Sequence, residues 1–257
     1  MDLGPQFVGA SPVPEIAAGA ARYRKVNGFL APEQDYRQSV IPPSRSRQIG
    51  QAYMAMPEHD PAAVPAYRQM AEETKRQFDH MTGPVSRGGM GLNVSVTKDD
   101  PYGGAGPGND YSTWRADRVI PELRHDVEHN GHISVLSTAT TGHHAVFSDD
   151  ENDMFRAVHD VFGHLGSGRG IDMHGEDAAY QAHASMFSPH ARQAMATETR
   201  GQNAALHLTG EFQDQKIGFL PPGLQAPRNL SSLQFGEMSG PRGYGHAVDE
   251  NRKQGLA

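Results

Sequence analysis

The 257-residue sequence contains no cysteine. That absence removes disulfides, thiolate zinc sites, iron–sulfur clusters and cysteine nucleophiles together, so any bound metal must rest on imidazole and oxygen donors. It is also compatible with a reducing compartment. Long apolar runs are missing too. No stretch approaches the roughly 20 consecutive apolar residues that span a bilayer, and the N-terminus lacks a basic segment followed by an apolar one. The expectation is a cytoplasmic protein without a membrane partner. Positive charge is in short supply: 23 Lys and Arg face 30 Asp and Glu, for a formal net charge of −7. Binding to duplex nucleic acid rests on neutralising many phosphates, so this balance argues against a broad grip on a duplex and leaves a small molecule, a single base or nucleotide included, as the expected partner.

What the chain does have is the composition of a globular protein with a core, at 37% hydrophobic and 21% charged residues. It also has 14 histidines, several of them clustered: His125, His129 and His132, then His143 and His144, then His159 and His164. Residues 1–45, rich in Gly, Pro, Ala and Ser, predict an extended N-terminal arm with at most short helices, placed to wrap the body or a neighbouring subunit of a homo-oligomer. Residues 46–225 form the expected main domain and 226–257 a C-terminal tail. From Ser44 to Met81 apolar residues recur at three- and four-residue steps around a break at Pro57 to Pro61, which predicts two helices. Leu92 to Val96 alternates as a half-buried strand does, and Asp99 to Asp110 is a glycine-rich loop without the Gly-Lys-Ser/Thr ending of a phosphate cradle. A helix from Pro121 to His129 stops at Asn130-Gly131. Ile133 to Ser137 reads as a strand, with Ala145 to Phe147 as its partner. From Ser148 onward the pattern is helical: Ser148 and Glu151 have capping-box spacing, and breaks near Gly166–Gly170 and Pro189 divide the segment into three helices. The expected fold class is α+β, predominantly helical, with a small sheet beside a helical core.

The chemistry concentrates in Phe155-Arg156-Ala157-Val158-His159-Asp160-Val161-Phe162-Gly163-His164, followed 34 positions after the second histidine by Glu198. Two histidines beside an acid, with a later helical glutamate, form the pattern of a two-histidine, one-carboxylate metal site, whose free positions suit non-haem iron(II) oxygen chemistry. On a regular helix His159 and His164 lie about 140° apart, whereas Asp160 and His164 are about 40° apart. Either the helix loosens near Gly163 so that both imidazoles converge, or Asp160 and His164 face the metal. Glu176, Tyr180 and His183 share one helix face, as do Glu198 and Gln202 on the next. If both faces look toward His159 and His164, Glu176 and His183 line the cofactor-binding side of a polar pocket, and Asp160, Arg200 and Gln202 orient a substrate.

The run His-Asp-Val-Phe-Gly-His resembles the His-Glu-x-x-Gly-His metal motif of the pterin-dependent aromatic amino acid hydroxylases, over roughly residues 150–205. The resemblance implies that His159, His164 and Glu198 bind iron(II), with zinc or manganese as alternatives, and that Asp160 takes the place of the acid beside the first histidine. It further implies a fold like that family's catalytic domain and raises a reduced pterin as a cofactor. The chain is also similar, over about residues 45–225, to an uncharacterised family of phage and prophage proteins. The shared stretches are the histidine run, Met186 to Pro189, Glu198 to Asn203 and Asp214 to Pro221. That similarity implies a viral gene, hence a host cytoplasm, and brings no known activity with it.

The expected function is therefore an iron-dependent monooxygenase, a hydroxylase of a small aromatic or heterocyclic substrate, with a phage nucleotide or base as one candidate. A metal-dependent phosphohydrolase competes, since His159-Asp160 is the histidine–aspartate doublet and His125-Asp126 offers another, although two residues separate Asp160 from Gly163 where such doublets have one. A zinc peptidase would need His-Glu-x-x-His, which is absent. His174-Gly175-Glu176 matches the letters of the 2-oxoglutarate oxygenases in helical surroundings rather than on strands. The remaining alternative is a phage structural protein whose metal only staples helices together.

Overall fold

The computed structural model describes residues 11–30, 41–102 and 116–225. The C-terminal tail and most of the glycine-rich loop lie outside the described residues. The expected predominantly helical α+β architecture is present. Two helices follow the arm, α2 (Pro43–Ala55) and α3 (Val64–Thr82), separated by the predicted proline break. The buried face of α3 runs Tyr67, Met70, Thr74, Gln77 and Met81, at the helical spacing of three and four.

Among the described residues the sheet has two strands. β1 (Asn93–Thr97) and β2 (His132–Leu136) pair in parallel, with Asn93 opposite His132 and Thr97 opposite Leu136. Parallel neighbours need a crossover connection. α4 (Ala116–His125) and a π turn (Asp126–Asn130) lie on it, and Gly131 ends it in the left-handed conformation at φ 58°. The helix begins five residues before Pro121, which sits inside it. Ala145 to Phe147, expected as a strand beside β2, is a loop. The Val146 and Phe147 amides donate to His144 Nδ1 at 3.0 and 2.9 Å, so they have no hydrogen to give a ladder.

Within the expected N-terminal arm, the described residues are more helical than its composition suggests. Residues Pro14–Asn27 form a 14-residue helix, α1, with Ile16, Ala20 and Tyr23 buried against the chain's own body. Val13 donates its amide to the Leu165 carbonyl at 3.0 Å, tying the start of this helix to the end of the histidine run. One face of this helix is therefore core, because burial of its apolar stripe outweighs the cost of Gly19, and Pro14 sits at the helix start, where proline is tolerated.

After the short α5 (Thr138–Thr141), α6 (Asp149–Val158) opens on the predicted capping box. The Glu151 amide donates to the Ser148 hydroxyl at 3.2 Å, and the Ser148 amide to the Glu151 carboxylate at 2.8 Å. Ser148→Ala should therefore cost about 1 kcal/mol of stability in urea unfolding, with the m-value unchanged. α6 runs into a π turn (His159–Leu165), and α7 (Met173–Ala184) packs against that turn. α8 (Pro189–Met195), a further π turn (Ala196–Gly201) and α9 (Gln202–Thr209) form one near-continuous rod, which α10 (Pro222–Gln225) follows after an intervening loop. α3 packs on α6 and α8, and α2 on α9, so the histidine run is enclosed by helices.

Candidate metal centre

The local backbone resolves the question left by the helical wheel. A π turn bonds residue i to i+5, which stacks residues five apart on one face, and His159 and His164 are five apart. Their rings meet edge to face with centroids 5.1 Å apart. Gly163 makes room for this: a Cβ there would sit 3.1 Å from His159 Nδ1 and 3.2 Å from the Ala179 carbonyl of α7. Gly163→Ala should therefore cost about 1–3 kcal/mol by overpacking, since neither neighbour can retreat freely. It should also weaken metal binding by displacing His159, which isothermal titration with zinc would register.

The third donor is Glu176, on the first turn of α7. Its carboxylate lies 3.6 Å from His164 Nε2 and 3.8 Å from His159 Nε2. One ligand atom from each of the three residues lies within 4.8 Å of the other two. Asp172 sets the helix start by accepting from the His174 and Gly175 amides at 2.9 and 3.1 Å. Gly175 lets that turn approach the preceding loop: a Cβ there would fall 1.9 Å from the Gly170 carbonyl.

The donor set fits a divalent cation. His164 Nδ1 donates to the Arg169 carbonyl at 3.1 Å, which leaves its Nε2 lone pair aimed at the Glu176 carboxylate. His159 likewise turns Nε2 toward Glu176, while its Nδ1 meets His183 Nδ1 at 3.2 Å. Separations of 3.6 and 3.8 Å are too long for hydrogen bonds between Glu176 and either histidine. They are near the roughly 3.4 Å expected between donors that share an ion at about 2.1 Å in tetrahedral geometry. Burial holds the His159 imidazole down at about 4 and lowers His164, keeping both rings neutral as ligation requires. Burial raises the Glu176 carboxyl, and the His164 ring opposes that rise. The side chains of His159 and Glu176 retain 12% and 14% exposure against 3% for His164, so solvent reaches the cluster from one side.

Asp160 lies beside the cluster. Its carboxyl is pushed up to about 7 by burial, with further upward contributions from the Glu176 and Asp100 carboxylates and an opposing one from Arg156. His183 stands behind His159 rather than on the cofactor side: its Nε2 meets Gln77 Oε1 at 2.7 Å, and it is fully buried.

Glu198, expected as the third ligand, is not among the converging donors. It is turned to a separate buried cluster, with Oε1 3.3 Å from His144 Nε2 and Oε2 3.5 Å from Gln215 Nε2. Because His144 Nδ1 accepts two backbone amides, its Nε2 carries the proton and faces the Glu198 carboxylate. Burial and the nearby Glu198 charge raise the hydroxyls of Tyr53 and Tyr67, which remain protonated and donate to the Asp214 and Lys216 carbonyls, each at 3.0 Å. This cluster clamps the segment at 214–218 to the body. Arg200, expected to orient a substrate, is 97% buried, with Nε 2.8 Å from Asp177 Oδ1 and Nη1 on the Leu224 and Gln225 carbonyls. Its guanidinium is held by those partners. Gln202 opens α9, half-buried. Gln77, which the sequence did not single out, lies on the apolar stripe of α3 between Thr74 and Met81, and that position is the signal that could have found it.

No protein-family model, curated protein or solved structure matches the chain.

Proposed function

We propose that the protein is a metal-dependent enzyme whose centre is His159, His164 and Glu176, and that it hydroxylates a small organic substrate with non-haem iron(II), dioxygen and a two-electron reductant of the reduced-pterin kind, one oxygen atom entering the substrate and the other leaving as water. The observation that carries this proposal is the convergence of two neutral imidazoles and one carboxylate, within 4.8 Å of one another, with the carboxylate too far from either ring to hydrogen-bond it. Three protein donors on one side of an ion leave other positions free, and iron(II) so held supplies dioxygen activation. Partial exposure of His159 and Glu176 supports an open site, where a structural metal would be enclosed by protein ligands on every side. Within that site the residues have separate tasks. The Arg169 carbonyl and His183 hold the two imidazoles in place, Phe155 lies nearly parallel to His159 with centroids 5.9 Å apart, and Asp160 supplies a carboxyl beside the centre for orienting a bound substrate or moving a proton.

One observation favours a hydrolytic alternative. Asp160 follows His159 directly, and the Glu176 charge helps to raise its carboxyl, so a second acid stands near the centre, of the kind that positions water for phosphate ester hydrolysis. The two are separated by anaerobic loading with iron(II), followed by oxygen uptake with a panel of aromatic amino acids and nucleobases, with and without reduced pterin. Substrate-dependent oxygen consumption is the expected result. Phosphate release from nucleotides without oxygen consumption would replace hydroxylation with hydrolysis.

A further inference from the structure

The His159–His183 contact joins two Nδ1 atoms at 3.2 Å, so it holds one proton between two like nitrogens. Within the pair nothing decides which ring owns that proton, and the answer matters. If His183 donates, His159 is left with its proton on Nε2, pointing at Glu176, and cannot offer a lone pair to a metal. If His159 donates, its Nε2 is free.

The decision lies outside the pair, on α3. Gln77 Nε2 donates to the Met186 carbonyl at 3.2 Å, and since a carbonyl can only accept, this orients the Gln77 amide with Oε1 toward His183. Oε1 sits 2.7 Å from His183 Nε2 and can only accept, so the His183 proton is on Nε2. In the neutral ring Nδ1 is then an acceptor, and the shared proton belongs to His159. Gln77 and His183 are both fully buried, so water does not compete for these bonds.

We infer that Gln77 is a positioning residue for the metal centre: through His183 it fixes the His159 proton on Nδ1 and so makes His159 able to bind a cation. This rests on the metal-centre assignment above, but the proton positions exist in the metal-free protein and are measurable there. Gln77 lies 106 residues from His183 in the chain, on a helix that supplies none of the three ligands. It adds nothing to the metal's coordination and acts only through the ring behind the ligand.

The test uses the full-length, metal-free protein with 15N-labelled histidine and long-range proton–nitrogen correlation spectra, which separate protonated from bare ring nitrogens. Wild type is expected to show His159 protonated on Nδ1 and bare on Nε2, with His183 the reverse. In Gln77→Leu the His183 Nε2 proton loses its acceptor. A measurable fraction of His159 should then change tautomer, and zinc affinity by titration should fall by about 10–100-fold, the usual cost of losing an outer partner of a metal ligand. Gln77→Glu keeps an acceptor for His183 and should retain the wild-type tautomer. His159 protonated on Nε2 in wild type would overturn the inference, and so would wild-type tautomer and affinity in folded Gln77→Leu. The wild-type spectrum decides by itself if Gln77→Leu does not fold. The predicted tautomers in a protein that binds no zinc would support the relay and count against the metal centre; stoichiometric zinc with His159 protonated on Nε2 in the metal-free protein would do the opposite.

Discussion

Glu176→Ala is expected to strip the protein of its metal, whereas Glu198→Ala leaves the metal in place. Removing Glu176 takes away the one carboxylate and leaves two neutral imidazoles, a donor pair that no longer balances a divalent charge in a buried setting. Elemental analysis of protein purified from iron-supplemented cultures should find about one equivalent in wild type and less than about a tenth of that in Glu176→Ala, given that one lost ligand outweighs the 10–100-fold cost of a lost outer partner. Glu198→Ala should instead lower stability, because it unpairs His144 Nε2 and frees Gln215 over the 214–218 segment. Equal metal loss in both variants would contradict this division of labour.

Arg200→Ala is expected to be the most destabilising single change outside the apolar core. The guanidinium and Asp177 are both almost fully buried and 2.8 Å apart, and Arg200 also donates to the Leu224 and Gln225 carbonyls and lies 5.6 Å from the Tyr180 ring centre. Removing one member of a buried pair leaves the other charge uncompensated, at a cost of about 3–5 kcal/mol. For a chain of this size that corresponds to a fall in Tm of roughly 10 °C. Asp177 keeps the Gln181 amide, at 2.7 Å, a neutral partner for its charge. A double change to Arg200→Met with Asp177→Leu should recover much of the loss, since a well-packed apolar pair often equals a buried ion pair. Thermal unfolding followed by circular dichroism would measure both. An Arg200→Ala shift of only a degree or two would mean that the pair is solvated.

The two imidazoles were legible in the sequence because their neighbours are diagnostic: His-Asp followed by Gly-His is a pattern that core packing alone does not require. The π turn that brings them together was not, because π and α turns share the same apolar stripe and differ only in which carbonyl each amide reaches. Choosing between Glu176 and Glu198 was harder still. Both are helical and both share faces with polar residues; what separates them is the packing of α7 against the 159–165 turn, set by Gly163 and Gly175, and a single sequence does not rank that contact against the one made by the 196–201 turn. The capping box at Ser148, the proline break before α3 and the β1 strand followed from local rules and are present. α1 was obscured by composition, although Ile16, Ala20 and Tyr23 already stood at steps of four and three. The parallel pairing of β1 with β2 depends on a crossover whose length says nothing about which strand it returns to.

Anomalous scattering from crystals grown with iron(II) or zinc would show whether one cation sits among His159, His164 and Glu176. The expected result is a single strong peak about 2.0–2.2 Å from Nε2 of both histidines and from a Glu176 carboxylate oxygen. A map with no peak there, or with its peak between His144 and Glu198, would contradict a metal centre on these three residues.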